Sequence, residues 1–363
     1  MTTGPSYILK QSQLPRVVWD GLGLLNTHSG VGNYGANLYK NLEHLGISPE
    51  VTAQTGRLPG FVTSARGIIL PPTLLGRKFQ AFKPSFPVYS YRAAINQHQK
   101  IIYHGLSNIN LPCFGRLRSS DKFVITIHDI IPILTGKNSA LGLQFRWLMP
   151  RVLERADRVI TGSNWARDSI LEVFGARYSE KIEAVGYGTA KTSNIPSTEP
   201  SIDCLTIARG ESYKRLELIT SIARNCPARQ FAVVTDQAGV SRMGHLPTNI
   251  KTYSGLDDER LSKLLLSARA LLQPSLFEGW CLPAAAALNS GLYVIYCSGS
   301  GIDEVCAHAP EQAVALRPEK TTDDWSEALN GVLRRPKTTS PLINLPTWEE
   351  VAQKTLKIYQ SLV

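Results

Sequence analysis

The sequence predicts an α/β protein made of two doubly wound, mostly parallel sheet units. Three observations carry that prediction. Short Val/Ile-rich runs such as RVVWD (16–20), FVITI (123–127) and CLTIA (204–208) alternate along the chain with amphipathic stretches at helical spacing. One segment, TAKTSNIPSTEPS (189–201), turns to Ser, Thr and Pro, and the same alternation restarts behind it. The length, 363 residues, exceeds one ordinary domain and suits two, each able to bury its own core.

Composition bounds the function classes. With 43% hydrophobic and 19% charged residues the chain is globular, neither repetitive nor low in complexity. No apolar run approaches the ~18 residues of a membrane span, and the first twenty residues lack a signal peptide's apolar core, so the cytoplasm is the expected compartment. The six cysteines form no CxxC pair and have no His partner at zinc spacing, which predicts buried thiols in place of a metal centre. The formal charge is +10, and nearly all the excess lies between Val51 and Ser120, a span without Asp or Glu. There Arg77, Lys78, Lys83 and Arg92, among other bases, interleave with Phe79, Phe82, Phe86, Tyr89 and Tyr91. Such a mixture suits an anionic membrane surface, a phosphorylated lipid or nucleic acid; a solubilising surface over buried aromatics reads equally well from composition.

In chain order, residues 1–15 read as a loose leader and Arg16–Asp20 as the first strand. A glycine loop, Ser29-Gly30-Val31-Gly32, follows, and then a helix whose Tyr34, Leu38, Leu42 and Leu45 share a face, ended by Gly46. Strand, glycine loop and helix bring a backbone close to phosphate or sugar, although a tight turn also needs glycine. The buried strand Phe123–Ile127 runs straight into His128 and Asp129, placing an imidazole and a carboxylate at a strand's carboxyl end, where open α/β sheets bind ligands. A helix near Phe145–Arg155, a strand Asp157–Gly162 and a helix Ser163–Gly175, capped by Ser163 or Asn164, complete the first half.

The second half opens with Cys204–Ala208, which delivers Arg209 and, five positions on, Lys214, just before a helix over 214–224. A guanidinium and an ammonium beside a helix N-terminus form an anion site, although exposed bases near helix starts are common. Strands near Phe231–Thr235 and Lys251–Tyr253 and a helix capped by Asp257 or Asp258 lead to the apolar run Ala270–Leu272. That run breaks at Pro274 and presents Phe277, Glu278, Gly279 and Trp280 before a helix beginning near Pro283, closed by Asn289, Ser290 and Gly291. The strand Leu292–Cys297 follows. The final helix starts at Thr347 with a Thr347/Glu350 capping box and carries Trp348, Ala352, Thr355, Tyr359 and Leu362 as an apolar stripe.

The stretch 278–286 closely resembles the signature of family 4 glycosyltransferases, a Glu, then Gly-Phe-Gly-Leu-Pro, then a second Glu eight positions after the first. Glu278, Gly279, Trp280, Leu282 and Pro283 match or nearly match; Ala286 stands where the second acid belongs. GVGNY resembles the family's Thr-Gly-Ile-Gly-Arg-Tyr loop, VITIHD its Thr-Val-His-Asp segment, and ARGESYK its Gly-Arg-x4-Lys phosphate clamp; His104 in IIYHG resembles another of its strand ends. The resemblance covers about residues 16–50 and 101–363.

It implies the GT-B fold: two Rossmann-like domains facing across a cleft, with the terminal helix crossing back to the first. The boundaries follow as residues 1–190 on the acceptor side, a linker 191–202, a nucleotide-sugar domain 203–346, and the helix 347–363. It further implies transfer of a sugar from a nucleotide donor with retention of configuration. Arg209 and Lys214 would stabilise the leaving phosphate without a metal, Glu278 would hold donor-sugar hydroxyls, and His128 would bind the same sugar. The backbone of Gly279, Trp280, Cys281 and Leu282 would lie alongside, and Gly30 and Gly32 would admit diphosphate or acceptor. No cofactor is implied beyond the nucleotide sugar.

The string HDIIP looks most like mannosyltransferases of surface-polysaccharide or lipopolysaccharide assembly, which makes GDP-mannose the first donor to expect, with UDP-sugars open. The acceptor would be a glycan or lipid-linked glycan at the inner membrane face, met through Arg77, Lys78, Lys83 and Arg92; nucleic acid is not an expected partner. The missing second acid leaves an alternative, a weak or inactive relative that binds membranes or polyanions.

Overall fold

The computed structural model describes residues 16–21, 24, 29–53, 58–63, 67–69, 101–108, 120–136, 140–189, 201–336 and 343–363. The expected membrane-side bases Arg77, Lys78, Lys83 and Arg92, the thiol of Cys113 and most of the expected linker lie outside the described residues.

Two compact units emerge. The first comprises the chain through Gly162, Arg167–Val185 and Trp348–Val363; the second comprises Ser163–Ala166 and Gly186–Thr347.

The first unit holds strands β1 (Val17–Asp20), β2 (Glu50–Ala53), β3 (Gly67–Ile69), β4 (Ile102–Gly105), β5 (Lys122–Thr126), β6 (Arg158–Thr161) and β7 (Ile182–Ala184). They form one sheet in the order β3-β2-β1-β4-β5-β6-β7, every pair parallel. The order reverses at β1, as in a doubly wound sheet. Its helices are α1 (Gly30–His44), α2 (Ile131–Thr135), α3 (Ala140–Arg155) and, from Arg167 on, α4 (Asn164–Phe174). The helix expected over 145–155 thus begins five residues earlier, at Ala140, and takes in Gly142 in its first turn. Phe145, Met149, Val152 and Leu153 of α3 pack with Phe123, Ile125 and Ile127 of the β5 region in one core.

The expected glycine loop is instead the first turn of α1. Ser29 caps it, its hydroxyl accepting the Gly32 N–H at 3.0 Å, so Gly30 and Gly32 lie inside the helix. A methyl group on Gly30 would meet nothing within 4 Å. Sterics therefore do not require glycine there.

The second unit holds β8 (Ile202–Ile207), β9 (Phe231–Val234), β10 (Ile250–Tyr253), β11 (Ala268–Gln273), β12 (Tyr293–Cys297) and β13 (Ala313–Leu316), ordered β10-β9-β8-β11-β12-β13 and again wholly parallel. Its helices are α5 (Leu216–Asn225), α6 (Gln237–Met243), α7 (Asp258–Leu266), α8 (Leu282–Asn289), α9 (Ile302–Cys306) and α10 (Thr322–Leu333). Trp325, Leu329, Ile219 and Ile222 close the core over Val233, Leu272 and Ile295.

The helix expected over 214–224 divides. Ser212–Lys214 form a 3-10 turn, Arg215 adopts a left-handed conformation at φ 53°, and α5 begins only at Leu216. Lys214 therefore sits on a tight turn ahead of the helix.

The last helix, α11 (Trp348–Gln360), belongs to the first unit, as expected of a terminal helix that crosses back. Trp348 lies against Tyr34 of α1, ring centroids 5.9 Å apart. Tyr359 is fully buried, accepts the Trp19 indole N–H at 3.1 Å and meets His104 Nδ1 at 2.6 Å.

Candidate functional site

In the second unit, the loops that leave the carboxyl ends of β8, β9, β11 and β12 converge. β11 is apolar from Ala270 to Leu272 and ends on Gln273, which is 1% exposed. Its amide donates to Glu278 Oε1 at 2.7 Å and to the Ser275 hydroxyl at 3.0 Å, folding the 274–278 loop back over the strand end. Lys214 Nζ reaches both oxygens of Glu278 at 2.8 Å. The two loops are also joined through backbone, Leu276 N–H donating to Tyr213 O at 2.8 Å. Lys214 and Glu278 are both largely buried, 15% and 9% exposed at the side chain. Burial alone would pull the lysine's pKa down, but the Glu278 charge, with help from Tyr213, outweighs it and the net shift is upward. The ammonium stays charged.

Glycine is required at two points around this pair. A Cβ on Gly301 would stand 2.4 Å from Gly279 O, and Gly301 N–H donates to Glu278 O at 2.9 Å, so the loop after β12 lies directly on the Glu278–Gly279 backbone. A Cβ on Gly210 would stand 2.4 Å from Gly239 N; there Asp236 Oδ1 accepts from both Gly210 N–H and Gly239 N–H, pinning the loop that carries Arg209 to the start of α6. Arg209 itself is exposed and bonds to Glu211 at 2.7 Å, so its partner in this structure is Glu211 and not the Lys214–Glu278 pair.

Cys281 caps α8 in a left-handed conformation, φ 81°. Trp280 is buried and stands edge-on to Tyr187. In α8, solvent reaches only Leu282, Pro283, Ala286 and Asn289, so Ala286 lies one turn beyond Leu282 on the accessible strip.

In the first unit, His128 follows β5. Its backbone N–H donates to Asn108 Oδ1 at 2.6 Å, and its Nε2 lies 2.9 Å from Leu106 O. A carbonyl only accepts, so Nε2 carries the proton and Nδ1 is the acceptor nitrogen. Burial lowers its pKa to about 4, opposed by the Leu106 bond, and the ring is neutral at pH 7. Tyr34 meets it edge-on at 5.3 Å. Behind it His104, fully buried, bridges Tyr359 and Thr126, at 2.6 and 2.8 Å, and Thr126 lies 3.3 Å from the Tyr34 hydroxyl. His104 thus sits in a structural network beneath His128.

Sequence reasoning missed Gln273, Asp236, Gly210 and Gly301. A signal existed for the first: a lone amide closing the apolar run Ala270–Leu272. Among the described residues no group of three or more His, Cys, Asp or Glu side chains could hold a metal ion, and no helix is long and apolar enough to cross a membrane. The five described cysteines are free and buried.

Two family models match the chain in tandem, Glycosyltransferase Family 4 over residues 28–188 and Glycosyl transferases group 1 over residues 196–344. The chain belongs to the family 4 glycosyltransferases of group 1. Solved structures agree on the fold. Sucrose-phosphate synthase from Thermosynechococcus elongatus superposes with a TM-score of 0.74 at 17% identity, over 96% of this chain and 99% of that one. HepE from Anabaena, solved with UDP and glucose, gives 0.66 at 13% identity, over 96% and 97%. WaaG, a glycosyltransferase of lipopolysaccharide biosynthesis, gives 0.62 at 14%, over 95% of each. The expected GT-B fold is the fold of this family 4 chain. A curated relative, the MMP alpha-(1->4)-mannosyltransferase of Mycolicibacterium hassiacum, is 29% identical over 163 residues; the match spans 43% of this glycosyltransferase and 37% of that one.

Proposed function

We propose that this family 4 glycosyltransferase transfers a hexose, mannose first, from a nucleotide diphosphate sugar to a glycan or lipid-linked glycan acceptor, with retention of configuration. The observation that carries the donor site is the buried Lys214–Glu278 pair held by Gln273 at the carboxyl end of β11. An ammonium has three donor hydrogens, and Glu278 engages two, which leaves one for a phosphate oxygen. The charge that builds on the leaving diphosphate as the C1–O bond breaks would fall on Lys214, and a fixed donor of that kind is worth about 3 kcal/mol in analogous sites. Arg209 would supply the second cation once released from Glu211. Glu278 would accept from donor-sugar hydroxyls, and His128, neutral and with Nδ1 as acceptor, would bind the sugar. The diphosphate itself would take the acceptor's proton, so no metal enters the scheme.

Mannose as the donor sugar is supported by the identity to the mannosyltransferase and by the HDIIP string. Assembly of a surface polysaccharide or lipopolysaccharide on the cytoplasmic face of the inner membrane is the corresponding role. Ala286 favours a second reading: with no side-chain acceptor at this position of the open strip of α8, the chain would bind its donor weakly or bind only membranes or polyanions.

A thermal-shift titration with GDP, UDP, GDP-mannose, UDP-glucose and UDP-N-acetylglucosamine separates these. A ligand at ~100 times its dissociation constant adds ~2.7 kcal/mol of stability. A shift with GDP and GDP-mannose that disappears in Lys214→Ala supports the transferase; no shift with any of the five at millimolar concentration removes it.

A further inference from the structure

Five large hydrophobic side chains are exposed among the described residues, and three of them, Leu141, Leu143 and Trp147, lie in the first two turns of α3, 51%, 54% and 44% exposed. Single exposed hydrophobics are ordinary; Leu143 and Trp147 stand one turn apart on one face of α3, while Leu141 lies on another side of the helix. Leu143, Trp147 and Arg151 follow at four-residue spacing on one face, with Arg146 beside them, while Phe145, Met149 and Val152 point into the core. The Arg151 guanidinium stacks over the Trp147 ring at 4.5 Å. No acid occurs between Asp129 and Glu154, and Glu154 is already bonded to Arg177 and Tyr178.

We propose that this face of α3 docks the enzyme on an anionic lipid bilayer, with Leu143 and Trp147 entering the headgroup boundary and Arg146 and Arg151 meeting lipid phosphates. Charge selects the occupant. A second copy of the chain would present the same cationic, acid-poor face across a two-fold axis, setting arginine against arginine, whereas an anionic bilayer offers both the apolar layer and the countercharge. Tryptophan and arginine are also the side chains suited to that boundary, since each carries an apolar body and a polar end. The proposal rests on the reading of the acceptor as membrane-linked, and gives that reading a surface on described residues, separate from the basic span 51–120.

The test is co-sedimentation of the full chain with vesicles of phosphatidylcholine alone and of phosphatidylcholine with phosphatidylglycerol, at low and high salt. The wild type should bind the phosphatidylglycerol vesicles and lose most of that binding at high salt. The double variant Leu143→Ser, Trp147→Ser should partition at least about ten-fold more weakly with an unchanged melting temperature. Quenching of tryptophan fluorescence by brominated phosphatidylglycerol should fall in Trp147→Phe, a variant that keeps the fold if the serine pair does not. If the wild type binds and the double variant binds as well, the docking face lies elsewhere and the membrane reading survives. If the wild type binds neither vesicle, both are overturned. A concentration-dependent dimer abolished by the double variant would make the face a self-interface and overturn the proposal.

Discussion

Lys214 Nζ stands 2.8 Å from each carboxylate oxygen of Glu278, and the two residues are 64 positions apart in the chain. A pair this buried is costly to break from one side, because the survivor keeps its desolvation penalty without its partner. Lys214→Ala should therefore destabilise the protein by about 3 to 5 kcal/mol, and adding Glu278→Gln should recover part of that loss. Urea denaturation of the two single variants and the double variant gives the coupling; strict additivity would show that the pair does not interact energetically.

Ala286 occupies the accessible strip of α8 where the family signature carries an acid. Ala286→Glu should tighten nucleotide-sugar binding by about 1.5 to 3 kcal/mol, roughly ten- to a hundred-fold, if the ribose lies there. Isothermal titration with the donor identified by thermal shift measures this. Unchanged affinity would mean that the ribose is held by another group.

Cys281 sits at φ 81°, where an L side chain is strained by about 1 to 2 kcal/mol and glycine is not. Cys281→Gly should leave stability within about 1 kcal/mol, relief of strain offsetting the lost buried thiol, while Cys281→Val should cost about 2 kcal/mol or more through its branched Cβ. Melting temperatures of the two variants decide it, and equal losses would contradict the strain account.

Burial, and next the nearby His128 charge, hold the His104 imidazole at a pKa of about 3, against an ordinary 6.5. The unfolded chain then takes up the proton first as pH falls. The stability is complete above about pH 6.5 and declines below it, with about 2 kcal/mol from His104 alone lost by pH 5. His128, held at about 4, adds a similar loss over the same range, so urea midpoints between pH 7.5 and pH 5 should fall more steeply than His104 alone requires, and His104→Gln should remove about half of the slope. Tyr359→Phe, which deprives both His104 Nδ1 and the Trp19 indole of a partner, should cost about 1 to 3 kcal/mol at pH 7.

Much of this site was legible because its residues stand at punctuation marks. Glu278 follows an apolar run broken by Pro274, and His128 ends FVITI, so periodicity alone located both at strand ends. The 3-10 turn at Ser212–Lys214 was not legible, since Arg215 enters the left-handed region without a glycine to announce it. Gly30 and Gly32 misled in the opposite sense: glycines that look like a loop were drawn into α1 by the Ser29 cap. His104 bonds to Tyr359, 255 positions away, and Tyr359 to Trp19, 340 positions away, distances over which no local pattern speaks.

The hydrogen bonds of Tyr359 to Trp19 and His104 also impose an order of assembly on the polypeptide. A chain emerging from the ribosome makes β1 and β4 early, yet the helix that covers them comes last, after the whole second unit. The first sheet must wait with Trp19 and His104 uncovered while some 240 further residues are synthesised, at rates of about 5 to 20 residues per second. The later-made unit is continuous apart from four residues and can close on its own sequence. Amino-terminal first, the usual order, is therefore reversed in this protein: the unit begun first is finished last.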